Sequence, residues 1–362
     1  MQRLAQCMLV ALASCALAAC DDGRVDPDAG APDSGSPDPM DAGPDAFVEP
    51  DTGVSTCEGP PGLYETGDCT VIAAGVRAYQ PRFGLWADGA DKERYIELPA
   101  GATIDTFDPD NWVFPVGTRL YKTFLQDGVR LETRILEKDA PGNGVGAWDM
   151  RVYAWNEAQD AVTEVTNADE SVRQNVLGTD HDIPGGADCV RCHGGLDVVN
   201  GFSAIQLNHD LGGVTLQTLL DEGALTQPIA PADADAPGDA TAEAALGYLH
   251  ANCGHCHREN ASDASAMVTG LWMWINVDDT TAEETDAYTT AVGERASYFH
   301  PSAFCRIHPG APDTSLMTVR MGERGDRAQM PPIATEQPDP AGIAAVSAWI
   351  AAVTGDATAC TP

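Results

Sequence analysis

The chain has 362 residues, with 55 acidic and 20 basic side chains and a formal net charge of −35 at pH 7. Such an excess of negative charge argues against nucleic acids and anionic lipid headgroups as partners. It is compatible with a basic protein partner, and the alternative is that acidity serves solubility alone. The length suffices for two domains.

The first 20 residues predict export. Arg3 is followed by an apolar run over 8–12, and residues 17–20 (LAAC) resemble the lipobox of bacterial lipoproteins, in which the cysteine becomes the lipidated N-terminus. The alternative is an ordinary signal peptide cut after Ala18 or Ala19. We expect lipidation at Cys20 and a periplasmic or cell-surface location. Because no later stretch reaches about 18 apolar residues, the lipid would be the sole anchor to a bacterial membrane.

A polar segment and a β-rich region follow. Residues 21–56 consist mainly of Asp, Pro, Ala, Gly and Ser, which predicts a disordered acidic linker that cannot bury enough apolar surface to fold. Residues 57–187 are predicted to form an antiparallel β-rich domain, such as a sandwich or jelly roll. Its expected strands lie at 119–125, 129–136, 148–155 and 160–165, and Asp127-Gly128 signals a hairpin turn.

Two five-residue motifs carry the chemistry, CVRCH at 189–193 and CGHCH at 253–257. Each has the form C-x-x-C-H, the attachment signature of c-type haem. Two thiols add to the vinyl groups of one porphyrin, and the adjacent imidazole binds its iron. The motifs therefore predict two haem c groups, with covalent attachment at Cys189, Cys192, Cys253 and Cys256 and iron ligation by His193 and His257.

Zinc and thiol redox chemistry are the alternatives. The two Cys-x-x-Cys pairs of a zinc ribbon are usually about 15 to 20 residues apart, much closer than Cys192 and Cys253, and a ribbon does not need a histidine after each pair. A thioredoxin-like site needs one such pair, not two with trailing histidines. Haem c accounts for both features, and its attachment outside the cytoplasm agrees with the predicted export.

The cysteine count leaves four thiols unassigned. Cys7 and Cys15 lie in the signal peptide, and the predicted lipid and haem sites use five more. The four that remain suggest disulfides in an oxidising compartment. Three pairings are possible, and proximity in sequence favours Cys57–Cys69 and Cys305–Cys360.

The C-terminal region has helical periodicity. Thr241 is expected to cap a helix that carries Leu246 and Leu249 into the second motif. A last helix starts after Asp339, has Pro340 in its first turn and closes at Gly355. Helices at these two places predict a cytochrome c-like domain over 241–355, preceded by a first haem-attachment segment over 188–240. The predicted fold class is α+β, with the antiparallel β-rich domain followed by this mainly α-helical one.

The sixth iron ligands are less evident. Met330, in the sequence QMPP just before the last helix, is expected to bind the second iron through sulfur and raise its reduction potential. The alternative is that Met330 packs in the core as a flexible apolar side chain. For the first iron an open position is possible, and the candidate ligands are His181, His209, His300, His308 and Met150. Two acidic doublets, Asp108/Asp110 and Asp278/Asp279, are expected to be solvated loops rather than calcium sites.

Several segments of this sequence resemble those of a largely uncharacterised family of exported bacterial dihaem c-type cytochromes. The resemblance covers nearly all of 80–352 and rests on the segments 248–258 (YLHANCGHCHR), 309–316 (PGAPDTSL), 320–321 (RM), 330–332 (MPP), 85–92 (LWADGADK), 112–118 (WVFPVGT) and 132–134 (ETR). It implies haem binding and electron transfer, with His193, His257 and Met330 as ligands. His308 departs from the pattern, where valine or alanine is expected, which adds weight to it as a ligand candidate.

Three functions are compatible with this sequence. The leading prediction is an electron-transfer protein that relays electrons through two haems to a redox partner protein, which its acidity suggests is basic. The second is a dihaem peroxidase-like enzyme with one open-coordination haem. In the third, the β-rich domain is a substrate- or surface-binding module that localises the redox unit. No motif of a nucleophilic hydrolase is present.

Overall fold

Antiparallel strands occupy the first half of the described chain and helices the second. The computed structural model describes residues 56–166, 175–184, 188–196, 198–261, 264–325 and 327–361. The signal peptide and lipobox predicted for 1–20, the lipidation of Cys20 and nearly all of the linker predicted for 21–56 lie outside these residues. The α+β class with antiparallel sheets is confirmed.

The strands form one large sheet and one small one. Strands β3 to β8 make a six-stranded sheet in which each pairs antiparallel with the next, whereas β1 and β2 form a separate hairpin. This meander replaces the two large packed sheets of the expected sandwich. The strands are Tyr64–Glu65 (β1), Asp68–Ile72 (β2), Arg77–Ala78 (β3), Asp91–Glu97 (β4), Arg119–Gln126 (β5), Val129–Lys138 (β6), Trp148–Trp155 (β7) and Val162–Glu164 (β8).

The central hairpin forms where the turn residues predict it. Gln126 pairs with Val129, so Asp127 and Gly128 are the two loop residues, and both have positive φ angles, of 50° and 79°. Asp-Gly tolerates this conformation, and its twist matches that of the flanking strands. The hairpin fixes the register of β5 and β6.

One face of the sheet carries two contrasting rows of side chains. Ile96, Leu120 and Leu136 lie opposite one another on β4, β5 and β6 and pack into the main hydrophobic core. Two residues along each strand, the same face presents Arg94, Lys122 and Arg134, again directly opposite one another. We call these three side chains the cation row.

The helices follow the strands in sequence. They are Cys189–His193 (α1), Ala204–Leu207 (α2), Leu216–Asp221 (α3), Ala240–Asn252 (α4), Ala264–Met267 (α5), Asp286–Ala291 (α6), Leu316–Gly322 (α7) and Pro340–Ala352 (α8). Two predicted boundaries were wrong. Asp239 caps α4 in place of Thr241, because its carboxylate accepts the amide hydrogens of Thr241 and Ala242. Helix α8 begins after Asp339 as predicted but ends at Ala352, before Gly355.

Helices α4 and α8 pack closely, which positions the end of α4. A Cβ atom added to Gly342 of α8 would lie 2.1 Å from the ring of Tyr248 of α4, so only glycine fits there. The surrounding core includes Leu246, Leu249 and Trp349, and it continues to the apolar row of the sheet. One continuous core therefore joins the sheet to the helix that carries the second motif.

Two disulfides join the pairs that proximity in sequence favours. Cys57 is bonded to Cys69 and Cys305 to Cys360, with Cα–Cα distances of 5.6 and 4.8 Å. None of the four motif cysteines forms a disulfide, and all four are partly buried. Among the described residues, no helix has the length and apolar character needed to cross a membrane.

Candidate functional site

The first motif lies on a single short helix. Cys189–His193 is α1, and Nδ1 of His193 lies 2.7 Å from the carbonyl oxygen of Val198. A carbonyl can only accept, so Nδ1 carries the proton and Nε2 is left with its lone pair. Burial, the largest cause, lowers the pKa of His193 to about 4. The imidazole is therefore neutral at pH 7, which is the form that ligates iron.

The second motif is the turn that ends α4. Cys253 occupies the C-cap position, and the amide of His257 donates to the carbonyl of Cys253 at 2.8 Å. Nδ1 of His257 lies 3.2 Å from the carbonyl oxygen of Leu271, while the amide of Met273 donates to the carbonyl of His257. In both motif histidines a main-chain carbonyl oxygen lies within hydrogen-bonding distance of Nδ1, which favours the tautomer with the proton on Nδ1.

Gly254 is required by the packing of this turn. A Cβ atom there would lie 2.6 Å from the carbonyl oxygen of His250 and 3.1 Å from that of Met273. Backbone atoms cannot move aside as a flexible side chain can. The glycine therefore allows the turn to sit against α4 and the 271–275 segment, which includes the buried Trp274.

The two motifs come together in the structure. The thiol of Cys256 lies 3.3 Å from the carbonyl oxygen of Arg191, and the sulfurs of Cys192 and Cys256 lie within 4.8 Å of each other and of a ring nitrogen of His255. The segments that follow the two motifs also lie close to each other, since a Cβ atom on Gly195 would lie 3.2 Å from the carbonyl oxygen of Asn260.

The four motif thiols have different environments. Burial raises the pKa of Cys253 to about 12 and also raises that of Cys189. Cys192 differs, because hydrogen bonds from Cys256 and His255 outweigh burial and lower its pKa. Cys192 is therefore more readily ionised than Cys189 and Cys253, and a thiolate is the more nucleophilic form.

Met330 lies in the connection between α7 and α8. Its amide donates to the carbonyl of Arg320 at 3.0 Å, and its side chain is partly buried. This connection leads into α8, which packs on α4 next to the second motif. The structure thus holds the backbone of Met330 in place, and its ligation of the second iron stays a prediction.

The candidate ligands of the first iron make contacts within the protein, and their ligation of the iron stays a prediction. Nε2 of His181 lies 2.7 Å from the carboxylate of Glu132, and both ring nitrogens of His209 are hydrogen-bonded, to Gln80 and Leu211. Nδ1 of His300 lies within hydrogen-bonding distance of the Ser302 hydroxyl, and Nδ1 of His308 within that of the Thr314 hydroxyl. Met150 packs against the main hydrophobic core.

Two further histidines, which the sequence interpretation did not single out, lie nearer the motifs. Nδ1 of His250 accepts the amide hydrogen of Ile275, which leaves the ring proton on Nε2. Nδ1 of His255 is buried without a hydrogen-bond partner among the described residues. Together with Arg94 and Lys122, these two histidines line one small cavity. Their positions inside or next to the C-x-x-C-H motif were the signal that could have found them.

The acidic doublets connect loops and do not converge on one point. Asp108 accepts the amide of Asp110 and the side chain of Asn111, and Asp110 accepts the amide of Val277. Asp279 accepts the amide of Asn276. Within the described part of the chain, the one cluster of three potential metal ligands is Cys192, His255 and Cys256.

Comparisons with known proteins give no relative. No family model matches the chain, and no curated protein or solved structure does so either. The chemistry of the site is therefore argued from its own residues.

Those residues fit haem c. Each motif offers two cysteines that form no disulfide and an imidazole whose Nδ1 lies against a main-chain carbonyl, and these donors are the ones that a thioether-linked, His-ligated porphyrin needs. The cation row lies nearby, with two of its members lining the same cavity as His255. A zinc site built from both Cys-x-x-Cys pairs is less suited, because the converging cluster contains one cysteine of each pair and no others.

Proposed function

We propose that this chain is an exported dihaem c-type cytochrome that transfers electrons. The observation that carries the proposal is the meeting of two C-x-x-C-H motifs, distant in sequence, with the sulfurs of Cys192 and Cys256 within 4.8 Å. When bound, haem supplies an iron that changes between the ferric and ferrous states. Two such groups attached at neighbouring motifs suit the passage of electrons from one to the other.

The chain's own residues define what each site would do. The four motif cysteines would attach the porphyrins, and His193 and His257 would ligate the two irons. The carbonyl oxygens of Val198 and Leu271 accept hydrogen bonds from the imidazoles, which increases the basicity of each ligand. More basic ligands favour ferric iron, whereas the thioether of Met330, our proposed second ligand, favours ferrous iron.

The finer assignments belong to the same proposal. We place the second haem in a cytochrome c-like arrangement over 241–355, with α4 before its motif and α8 after Met330. We also propose that Cys20 carries lipid and holds the protein on a bacterial membrane, facing the periplasm or the outside. A Cys20→Ser variant that still sediments with membranes would contradict the lipid anchor.

The test is the haem content of the matured protein. The full chain is coexpressed with a cytochrome c maturation system, and haem is counted by the pyridine haemochrome assay and by intact mass. We expect two haems in the wild-type chain and one in each of the paired variants Cys189→Ser/Cys192→Ser and Cys253→Ser/Cys256→Ser. The control variant Cys57→Ser/Cys69→Ser should keep two. A colourless wild-type protein would refute the proposal.

Coordination distinguishes electron transfer from the peroxidase-like alternative. Resonance Raman spectra of the ferric protein report the number of axial ligands on each iron. Two six-coordinate haems support electron transfer, whereas one five-coordinate haem together with peroxide turnover would favour the enzyme. No contact in the described residues favours the enzyme specifically, so electron transfer is our conclusion.

A further inference from the structure

The cation row is an unusual feature of so acidic a chain. Arg94, Lys122 and Arg134 stand directly opposite one another on three neighbouring strands, and Lys92 is on the same face of β4. The chain has 20 basic side chains against 55 acidic ones. Like charges at opposing positions of a sheet destabilise it. A row of three therefore calls for an anion that offsets the repulsion.

Carboxylates of the described residues offset only part of the positive charge of the cation row. Glu132, fully buried, forms two hydrogen bonds with Arg134 and one with His181, so its carboxylate is already engaged. Arg94 and Lys122 form no ion pair with any carboxylate in the described part of the chain. Burial, together with neighbouring Arg94 and Arg134, lowers the pKa of Lys122 well below its usual value.

The cation row faces the haem attachment motifs. Arg94 and Lys122 line the same cavity as His255 of the second motif and Asn200, whose side-chain amide donates to the carbonyl of Cys192 at 3.0 Å. The positive charge of Arg134 also acts on the thiol of Cys189, against the effect of burial. Arg94 and Lys122, which form no ion pair among the described residues, thus lie beside both motifs rather than on the outer surface of the sheet.

We propose that the cation row binds the propionate carboxylates of haem, an inference that rests on the proposed function. Each haem c carries two propionates, and a carboxylate removed from water needs a charged hydrogen-bond partner. Arginine can bind a carboxylate through two parallel hydrogen bonds, and lysine adds a compact charge. The six-stranded sheet is then one wall of the haem site, with its apolar row packed on the helices and its cation row turned to the cofactor.

The test removes the charges of Arg94 and Lys122, the two members of the cation row that form no ion pair with a carboxylate of the described residues. Lys122→Gln, Arg94→Gln and the double variant are matured with haem, and Lys122→Arg is the conservative variant. Arg77→Gln is the matched control, because Arg77 lies on β3 of the same sheet but is exposed and pairs with Glu222. The readouts are haem content, the reduction potential of each haem and the propionate bending bands in resonance Raman spectra.

We expect both single variants to keep two haems, to lower the potential of at least one haem and to shift its propionate bands. The double variant should show a larger shift of both. The potential falls because a lost positive charge makes the ferric state relatively more stable. Lys122→Arg should restore the bands towards those of the wild type, and Arg77→Gln should leave potentials and bands unchanged. Loss of a positive charge that does not contact the propionates would shift the reduction potential without shifting the propionate bands. The bands therefore decide whether the cation row contacts the propionates.

Two results would overturn the inference. In the first, both haems are present but the propionate bands are unchanged in the double variant; this outcome leaves the proposed function intact. In the second, inorganic phosphate binds the wild-type holoprotein saturably, and the double variant loses this binding while its propionate bands stay unchanged. The cation row would then be a site for a small free anion. A wild-type chain without haem would refute the proposed function itself, and with it this inference.

Discussion

The sulfur of Cys256 lies 3.3 Å from the main-chain oxygen of Arg191, so the second C-x-x-C-H motif touches the middle of the first. The contact joins a five-residue helix that follows the sheet to the turn that ends α4. Neither motif therefore has a pocket made from its own neighbourhood alone. Whatever is attached at one motif changes the surroundings of the other.

This contact predicts that the two haem sites influence each other. The variant Cys253→Ser/Cys256→Ser should retain haem at the first motif, with a reduction potential shifted from both wild-type values because a charged neighbour is gone. Potentiometric titration followed by visible absorption measures the shift. Cys57→Ser/Cys69→Ser, which removes a disulfide outside both motifs, should preserve the two wild-type potentials. An unshifted first haem would show that the sites are independent.

The tight turn at Gly254 predicts a local defect on substitution. Gly254→Ala places a methyl group 2.6 Å from the carbonyl oxygen of His250, so either the turn or α4 must shift. We expect a loss of about 1–3 kcal/mol in unfolding free energy and incomplete attachment of the second haem. Chemical denaturation and intact mass measure these effects. Gly146→Ala is the control, because nothing lies within 4 Å of a Cβ atom there; equal behaviour of the two variants would contradict the prediction.

Ligation by Met330 predicts a spectroscopic change. Met330→Ala should abolish the near-infrared charge-transfer band of Met-ligated ferric haem and lower the potential of the second haem, because the thioether favours ferrous iron. The control is Met267→Ala, at a methionine that is 39% exposed. A band that persists in Met330→Ala and disappears in another methionine variant would assign the ligand elsewhere.

The buried carboxylate of Glu132 predicts both a stability loss and its pH dependence. Burial would raise the pKa of Glu132, but Arg134 and His181 outweigh burial and lower it to about 2. Because this value is below that of the unfolded chain, the stabilisation is complete above about pH 4.5 and is lost as the pH falls towards 2.

Glu132→Gln should therefore lower the unfolding free energy at pH 7 by about 3 kcal/mol, since it leaves Arg134 without its partner. The difference from the wild type should shrink as the pH falls below 4. Thermal unfolding followed by circular dichroism measures it, with the exposed Glu93→Gln as control. A difference that is constant from pH 7 to pH 3 would show that ionisation of Glu132 does not contribute.

Asp110 predicts a pH effect of the opposite sign. Burial, the largest cause, raises its pKa to about 6 although its carboxylate accepts the amide hydrogen of Val277. The folded state therefore holds this proton more tightly than the unfolded state, and stability rises as the pH falls from 7 towards 4. Burial also raises the pKa of Asp279 to about 6, which acts in the same direction.

Asp110→Asn should accordingly stabilise the protein at pH 7 by about 1 kcal/mol, because the amide is neutral and can still accept from Val277. The advantage should vanish near pH 4, and Asp279 should leave a residual pH slope in the variant. Melting temperatures between pH 4 and pH 8 provide the measurement, and the exposed Asp210→Asn should track the wild type. A variant less stable than the wild type at pH 7 would contradict this account.

Local chemistry could be predicted from the sequence, and long-range contacts could not. Asp127-Gly128 determines its own turn, and Asp339-Pro340 starts its own helix, so both were found. Strand β4 was not predicted, because its sequence, DKERYIE at 91–97, has the charged composition of a solvated loop. Only when β4 pairs with β5 do Arg94 and Ile96 acquire their separate roles on one face.

The same limit applies to the site. The motif cysteines and histidines can be picked out from the sequence, because C-x-x-C-H is contiguous, and their attachment of haem stays a prediction. The carbonyls of Val198 and Leu271 could not, because any residue type supplies a main-chain oxygen. The approach of His255 to Cys192 depends on how the 62 intervening residues fold, and no spacing rule contains that information.

The two rows on the sheet have a consequence for strand pairing. A slip of two residues between β4 and β5 would keep the same side chains on the same face but would set Arg94 beside Leu120 or Ile96 beside Lys122. Either alignment mixes guanidinium or ammonium groups with the aliphatic contacts to the helices, at a desolvation cost that the correct alignment avoids. The cation row thereby also disfavours misaligned pairing of β4 and β5 while the chain folds.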